Sequence, residues 1–286
     1  MTSLPAATTG KKLGLVIDLD VCVGCHACAV ICKEWNTGGY GSALSDQDPY
    51  GKDVSGAWLN RIHTFEVTPG EVTPGEVTPG DMTPGDVIPG YGKKPKGQGV
   101  GEVIARTDEA RVVHFPKSCL HCDDAPCVTV CPTGASYKRG EDGIVLVDED
   151  KCIGCGLCAW SCPYGAREMD QDAGVMKKCT LCVDRIYNEA IPEIDRQPAC
   201  VRTCPANARH FGDLGDPQSD VSVLVKERGG IDLMPEQGTR PVNKYLPPRP
   251  RQSLPNTEAP AISAPAESTE GAQGFLKWID TALSKL

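Results

Sequence analysis

Sixteen cysteines in four groups of four constrain this 286-residue chain more than any other feature. The first group is Cys22, Cys25, Cys28 and Cys32, spaced C-x2-C-x2-C-x3-C. The second is Cys119, Cys122, Cys127 and Cys131, with a longer middle gap. The third, Cys152, Cys155, Cys158 and Cys162, repeats the spacing of the first. The fourth is Cys179, Cys182, Cys200 and Cys204, whose middle gap is a long loop. Pro132, Pro163 and Pro205 follow the last cysteine of three groups, and Lys33 stands there in the first. A disulfide scaffold belongs with a secretory signal. Residues 1–12 contain no apolar stretch of that type, so the expectation is a chain without an export signal of its own and with reduced cysteines.

The spacing points to cubane iron–sulfur clusters. Four thiolates must aim at the corners of a compact box, and a tight C-x2-C-x2-C loop wraps three corners without strain. The fourth cysteine, three residues on, starts a helix, points away and ligates a neighbouring cluster. Gly24 and Gly154 let the backbone come close to sulfur, where their amides can donate hydrogen bonds. Structural zinc prefers two C-x2-C pairs or mixed Cys and His ligands. The fourth group alone would pass for such a site, but its company argues for iron.

Sixteen ligands make four [4Fe–4S] clusters, and crossing fourth ligands force the groups to work in pairs. The second and third groups lie about 20 residues apart, like the halves of a small ferredoxin, which leaves the first and fourth as the other pair. The expected sets are Cys119/Cys122/Cys127/Cys162, Cys152/Cys155/Cys158/Cys131, Cys22/Cys25/Cys28/Cys204 and Cys179/Cys182/Cys200/Cys32. Pairing the first group with the second and the third with the fourth is the alternative that spacing leaves open.

Composition agrees. Aromatic residues make up only 5%, against 31 glycines and 24 prolines, so the hydrocarbon core is thin and bound cofactors would have to help order the chain. A net charge of −9 argues against non-specific nucleic-acid binding. No run of about 18 apolar residues is present to span a bilayer.

Five divisions are expected: the first cluster group at 13–60, a pentapeptide-repeat insert at 61–99, a ferredoxin-like dicluster module at 100–178, the fourth group at 179–234 and an extended tail at 235–286. The repeats begin at Glu66-Val67-Thr68-Pro69-Gly70 and run to Gly90. A proline every five residues excludes a helix and a central strand, which leaves a flexible acidic spacer. In the tail, Phe275, Ile279, Leu283 and Leu286 recur at helical spacing beside Trp278 and Ala282. That amphipathic helix would dock on a partner, on a bilayer surface or back on the protein itself. Short β-like runs precede three groups: Leu15-Val16-Ile17, Val112-Val113 and Ile144-Val145-Leu146-Val147. The fold class is therefore α+β, with two ferredoxin-like dicluster modules, loop-rich insertions and an extended tail. Val16-Ile17-Asp18 leading to Cys22-Val23-Gly24-Cys25 parallels Leu146-Val147-Asp148 leading to Cys152-Ile153-Gly154-Cys155, which suggests an internal duplication.

His26 and His121 sit inside cluster loops and read as exposed loop residues, since each group already has four sulfurs. Trp160 and Tyr164 read as core, with shielding of a cluster as the alternative. Lys177 and Lys178 either offset cluster charge or are simply solvated. No nucleophile–base pair and no phosphate loop stands out, so the chain reads as a wire without a catalytic residue.

Several stretches resemble a known family: residues 21–28 around Val23-Gly24, Cys131-Pro132-Thr133-Gly134-Ala135, Cys162-Pro163-Tyr164-Gly165-Ala166-Arg167 and Lys178-Cys179-Thr180-Leu181-Cys182-Val183-Asp184-Arg185. They are similar to the four-cluster (beta) subunit of membrane-associated molybdopterin oxidoreductases, which include dimethyl sulfoxide reductase, polysulfide reductase and the cytoplasmic sulfite-oxidising enzyme. The likeness covers residues 13–60 and 100–245. His114-Phe115-Pro116-Lys117-Ser118-Cys119 and Gly134-Ala135-Ser136-Tyr137-Lys138-Arg139 look most like the sulfite-oxidising branch. The resemblance implies two partners: a catalytic subunit with a bis-pterin guanine dinucleotide molybdenum centre and an integral membrane subunit that handles quinone. It implies a non-catalytic electron-transfer role; the missing signal suggests the cytoplasmic face of the inner membrane, and co-export with a catalytic partner, as in some relatives, would put it at the periplasmic face. Sulfite is the first substrate expected for the catalytic partner, and a sulfoxide or polysulfide the second. A free soluble polyferredoxin and a zinc-stabilised interaction protein are the rival readings.

Overall fold

A computed structural model describes residues 4, 5, 7–37, 57–67 and 111–249. Strand β1 (Leu13–Asp18) is buried along its whole length, and its near-continuous apolar run suits a strand covered on both faces. It is the middle of a three-stranded sheet, antiparallel to β8 (Arg209–Asp213) and parallel to β9 (Lys244–Leu246). Among the described residues, three antiparallel strand pairs stand beside that sheet. β2 (Asn60–Val67) pairs with β3 (Arg111–Ser118), β4 (Ser136–Lys138) with β5 (Val145–Val147), and β6 (Glu168–Asp170) with β7 (Val175–Lys177). Strands β1, β3 and β5 lie on the three β-like runs preceding the first three cysteine groups, and the chain is α+β as expected.

Each cysteine group carries a short helix, and proline sets its length. α2 (Pro126–Thr129), α3 (Leu157–Trp160) and α5 (Ala199–Arg202) each end just ahead of a Cys-Pro pair. Proline lacks the N–H a further turn needs, and it biases the cysteine before it away from helical geometry. Lys33 takes that place in the first group, so α1 (Ala27–Asn36) runs on for ten residues, longer than the single turn its sequence suggests. Two further helices are α4 (Val183–Ile186) and α6 (Asp220–Arg228). Ser219 caps α6 by accepting the Ser222 N–H at 3.2 Å, and Gly229 ends it in the left-handed conformation.

The main core joins Leu15, Ile17, Phe115, Leu120, Ile144, Leu181 and Tyr245 to eight of the cysteines. Tyr245 stacks on Phe115 with ring centroids 4.5 Å apart, and its hydroxyl donates to the Pro116 carbonyl at 2.9 Å. A smaller cluster of Val16, Val221 and Leu246 seats α6.

Two expected boundaries shift. Residues 60–67 form a strand, so the chain leaves the first group through a hairpin arm rather than entering a spacer at 61. Residues 235–249 are folded rather than part of a loose tail. Val242, Asn243, Tyr245 and Leu246 are buried because β9 adds to the open edge of β1. The rest of the repeat insert and the amphipathic stretch near 275–286 lie outside the described residues. Among the described residues, no helix is long and apolar enough to cross a membrane.

Candidate iron–sulfur centres

The fold rings four positions with four cysteines each. Cys22, Cys25, Cys28 and Cys204 line one pocket with Gly24 and Arg209, here site I. At site II, Cys32 lies among Cys179, Cys182 and Cys200; burial and then their proximity push its thiol well above the ordinary range. Cys119, Cys127 and Cys162 crowd Cys122 at site III, and burial with that crowding raises it to about 12. Cys131, Cys152, Cys155 and Cys158 line another pocket with Arg167, site IV. The first group thus meets the fourth and the second meets the third, each pair exchanging its last cysteine. Among the described residues no site mixes the first group with the second, or the third with the fourth.

The four sites stand in a row. Cys28 of site I neighbours Cys200 of site II. Cys179 of site II neighbours Cys119 of site III, and Cys127 of site III neighbours Cys158 of site IV. All eight cysteines of sites II and III are buried, whereas Cys25 of site I and Cys155 of site IV are exposed. The row therefore has a covered middle and two ends at the surface.

One backbone device recurs in all four loops. The residue between each C-x2-C pair and its second cysteine is left-handed: Gly24 and Gly154 at φ 66°, His121 at 48° and Leu181 at 53°. This turn aims backbone N–H groups at sulfur. His121 N–H donates to the Cys119 Sγ and Leu181 N–H to the Cys179 Sγ, each at 3.5 Å. Outside these turns, Ala208 N–H reaches the Cys204 Sγ at 3.2 Å and Met176 N–H of β7 the Cys152 Sγ at 3.3 Å. Glycine is needed at two of the four turns for contact as well as conformation. A Cβ on Gly24 would lie 2.5 Å from the His114 ring, and one on Gly154 would lie 2.5 Å from the Gly174 carbonyl oxygen.

These positions fit a polynuclear iron–sulfur core. Four thiols packed in a buried space raise one another's pKa, as burial and neighbouring cysteines do for Cys200, pushed up to about 11. All four ionise together only around a strongly cationic centre. Two buried guanidinium groups, of Arg167 and Arg209, each line a cysteine pocket, and among the described residues the groups that Nη1 can turn to are cysteine sulfurs rather than nitrogen or oxygen. Buried donors beside sulfur are what an anionic, thiolate-ligated sulfide cluster would satisfy.

Other expected residues divide. His121 is fully buried rather than exposed. Its Nδ1 accepts the Val145 N–H at 3.2 Å, which puts the ring proton on Nε2. Burial, with Lys178, Lys138 and Arg167 nearby, holds its pKa well below the ordinary range, so the ring is neutral. His26 is half-buried at the left-handed start of α1. Tyr164 is core, its hydroxyl bonded to the Leu233 carbonyl at 3.2 Å and to Thr239, but Trp160 is 47% exposed beside Cys158. Lys178 is buried and donates to the Cys179 carbonyl, while Lys177 faces Glu149 at 2.8 Å. Sequence reasoning assigned no role to Arg167 or Arg209. The signal that could have found them was the repeated Cys-Pro-x-x-Ala-Arg ending at each.

Comparison with known proteins supplies the family. Residues 21–135 and 110–214 match family models described as 4Fe-4S dicluster domains. A sulfite dehydrogenase subunit of Allochromatium vinosum is 52% identical over 238 residues, 83% of this chain and 84% of that protein. A putative dimethyl sulfoxide reductase iron–sulfur subunit of Halobacterium salinarum is 36% identical over 250 residues, 82% of this chain and 78% of that protein. A tetrathionate reductase subunit of Salmonella typhimurium is 31% identical over 237 residues, 82% and 72% of the two chains. A chain with two 4Fe-4S dicluster domains and relatives of this kind belongs to the iron–sulfur (beta) subunit family of the molybdopterin oxidoreductases and is an electron-transfer subunit.

Proposed function

We propose that this chain holds four [4Fe–4S] clusters at sites I to IV, with the sixteen cysteines as ligands in the sets given above. It relays electrons between a molybdopterin catalytic subunit that oxidises sulfite and a membrane subunit that handles quinone. The observation that carries the reading is the row itself: buried sites II and III between sites I and IV, which reach the surface at Cys25 and Cys155. A [4Fe–4S] cluster supplies one-electron chemistry without proton transfer. The chain's own residues supply the rest. Cysteine thiolates fix the positions, loop N–H groups stabilise charge on sulfur, and the core around sites II and III excludes water.

Exposed apolar residues collar both ends, which suits docking to partners. Val23 lines site I and Ile153 lines site IV, and Val30 on α1 and Leu157 and Trp160 on α3 follow them in sequence, each more than 40% exposed. Sulfite as the partner's substrate is supported by the 52% identity to a sulfite dehydrogenase subunit. A position at the cytoplasmic face of the inner membrane, held there by partners, completes the proposal.

Anaerobic purification of the full chain from its native cells tests it. The expected preparation is brown, carries roughly sixteen iron atoms per chain, and brings with it a molybdopterin subunit and a multi-span membrane protein with sulfite-dependent quinone reduction. A brown protein that arrives alone would sink the relay and favour a free polyferredoxin.

A further inference from the structure

Two arginines occupy equivalent places in the two halves of the row. Arg167 lies five residues after Cys162 and Arg209 five residues after Cys204, each closing the sequence Cys-Pro-x-x-Ala-Arg. Both are buried, at 6% and 1% exposure. Each spends Nη2 on a neutral side chain: Arg167 donates to the Ser136 hydroxyl at 2.6 Å, Arg209 to the Asn60 amide oxygen at 2.8 Å. Each keeps a buried Nη1 with no nitrogen or oxygen partner among the described residues, within reach of cysteine sulfur instead. Neither has a carboxylate against it in the ion pairs of the described residues, although buried charges are ordinarily paired.

What surrounds them instead is sulfur from two sites at once. Arg167 lines site IV and lies beside Cys158 of that site and beside Cys119 and Cys127 of site III. Arg209 lines site I and lies beside Cys28 of that site and beside Cys200 and Cys32 of site II. Burial alone would lower the pKa of each guanidinium, and the neighbouring sulfurs outweigh it and raise both. These groups stay charged throughout, so the effect is that of a fixed cation.

We propose that Arg167 and Arg209 are inter-cluster positioning residues: each places one fixed positive charge between the two clusters of its own pair and raises the reduction potentials of both. The inference rests on the clusters proposed above. The redox event adds one electron to a site, with no bond made or broken and no proton released by the guanidinium. A fixed cation stabilises the more negative, reduced state. A cation shared by two neighbours moves both potentials together, so it raises the pair relative to the other two sites and leaves the step within the pair unchanged. The two arginines act on separate pairs, Arg167 on sites III and IV and Arg209 on sites I and II.

The test is an anaerobic redox titration of the full chain followed by electron paramagnetic resonance, for the wild type and for Arg167→Met, Arg209→Met and the charge-keeping Arg167→Lys and Arg209→Lys. In each methionine variant two of the four potentials fall, by at least tenfold in the reduction equilibrium, about 59 mV for one electron. The other two stay, the affected pairs differ between the two variants, and lysine restores most of the shift. If a methionine variant loses its clusters, Ser136→Ala and Asn60→Ala, which release the anchors and keep the charge, give smaller shifts confined to the same pairs. Unchanged potentials in variants that keep their clusters overturn the inference, as does an equal shift of all four. A wild type without cluster signals would overturn the proposed function itself, a result distinct from either.

Discussion

At the residue scale, one left-handed turn serves four loops with three kinds of side chain. Glycine at positions 24 and 154 takes it without cost, while His121 and Leu181 accept a conformation that L-residues resist by roughly 1–2 kcal/mol. They tolerate it because both are buried, and His121 gains a bond from the Val145 N–H. Glycine 154 has no such latitude. The replacement Gly154→Ala is expected to lose about 1–3 kcal/mol from φ alone, and more because the Gly174 carbonyl stands in the way. Iron content at site IV and the thermal midpoint check it: both fall, and Gly156→Ala, whose Cβ meets nothing within 4 Å, loses less iron. The loops were legible because cysteine spacing is local. The burial of His121 was not, since it depends on a strand 24 residues away in sequence. Arg167 and Arg209 escaped notice because an arginine in a sequence reads as surface, and only the fold brings sulfur from two groups to each side of it.

At the scale of elements, proline placement decides helix length, and long-range pairing decides which stretches are ordered. The helices beside Cys-Pro pairs stop within one turn, and α1, free of that proline, carries on through ten residues. This much could be read from the chain. The strand β9 could not: three residues, Lys244–Leu246, carry no periodic signal, and their order comes from β1, more than two hundred positions earlier. Composition alone therefore extended the tail too far back. Helix α6 offers a test of its seat. Ser219→Ala removes the cap that accepts the Ser222 N–H and costs about 1 kcal/mol. Arg228→Ala at the other end costs more, about 3–5 kcal/mol, because Asp18, 5% exposed, loses the guanidinium that bonds it at 2.7 Å. Chemical denaturation of both variants checks the order: the midpoint falls further for Arg228→Ala.

For the whole molecule, eight cysteines are counted among the core side chains, so half of the proposed cluster ligands are also the centre of the fold. Stripping iron with a strong chelator under reducing conditions is expected to abolish the cooperative unfolding transition rather than lower its midpoint. Near-ultraviolet dichroism of the stripped chain, with loss of the Phe115–Tyr245 signal, checks this; an apo-protein that keeps its tertiary signal and a sharp transition would contradict it. The pairing of the first group with the fourth also bears on how the chain is made. Sites III and IV can close once residue 162 has emerged, but sites I and II wait for residues 200 and 204, and β1 waits for β8 and β9 to flank it. Cys22 is thus translated about 180 residues before Cys204, its partner at site I, an interval of roughly 10–40 s at ordinary rates of synthesis. The earliest thiols off the ribosome are among the last to be used, and for that interval they stand open to oxygen, so the cell must either shield them or supply the cofactor only after the chain is complete.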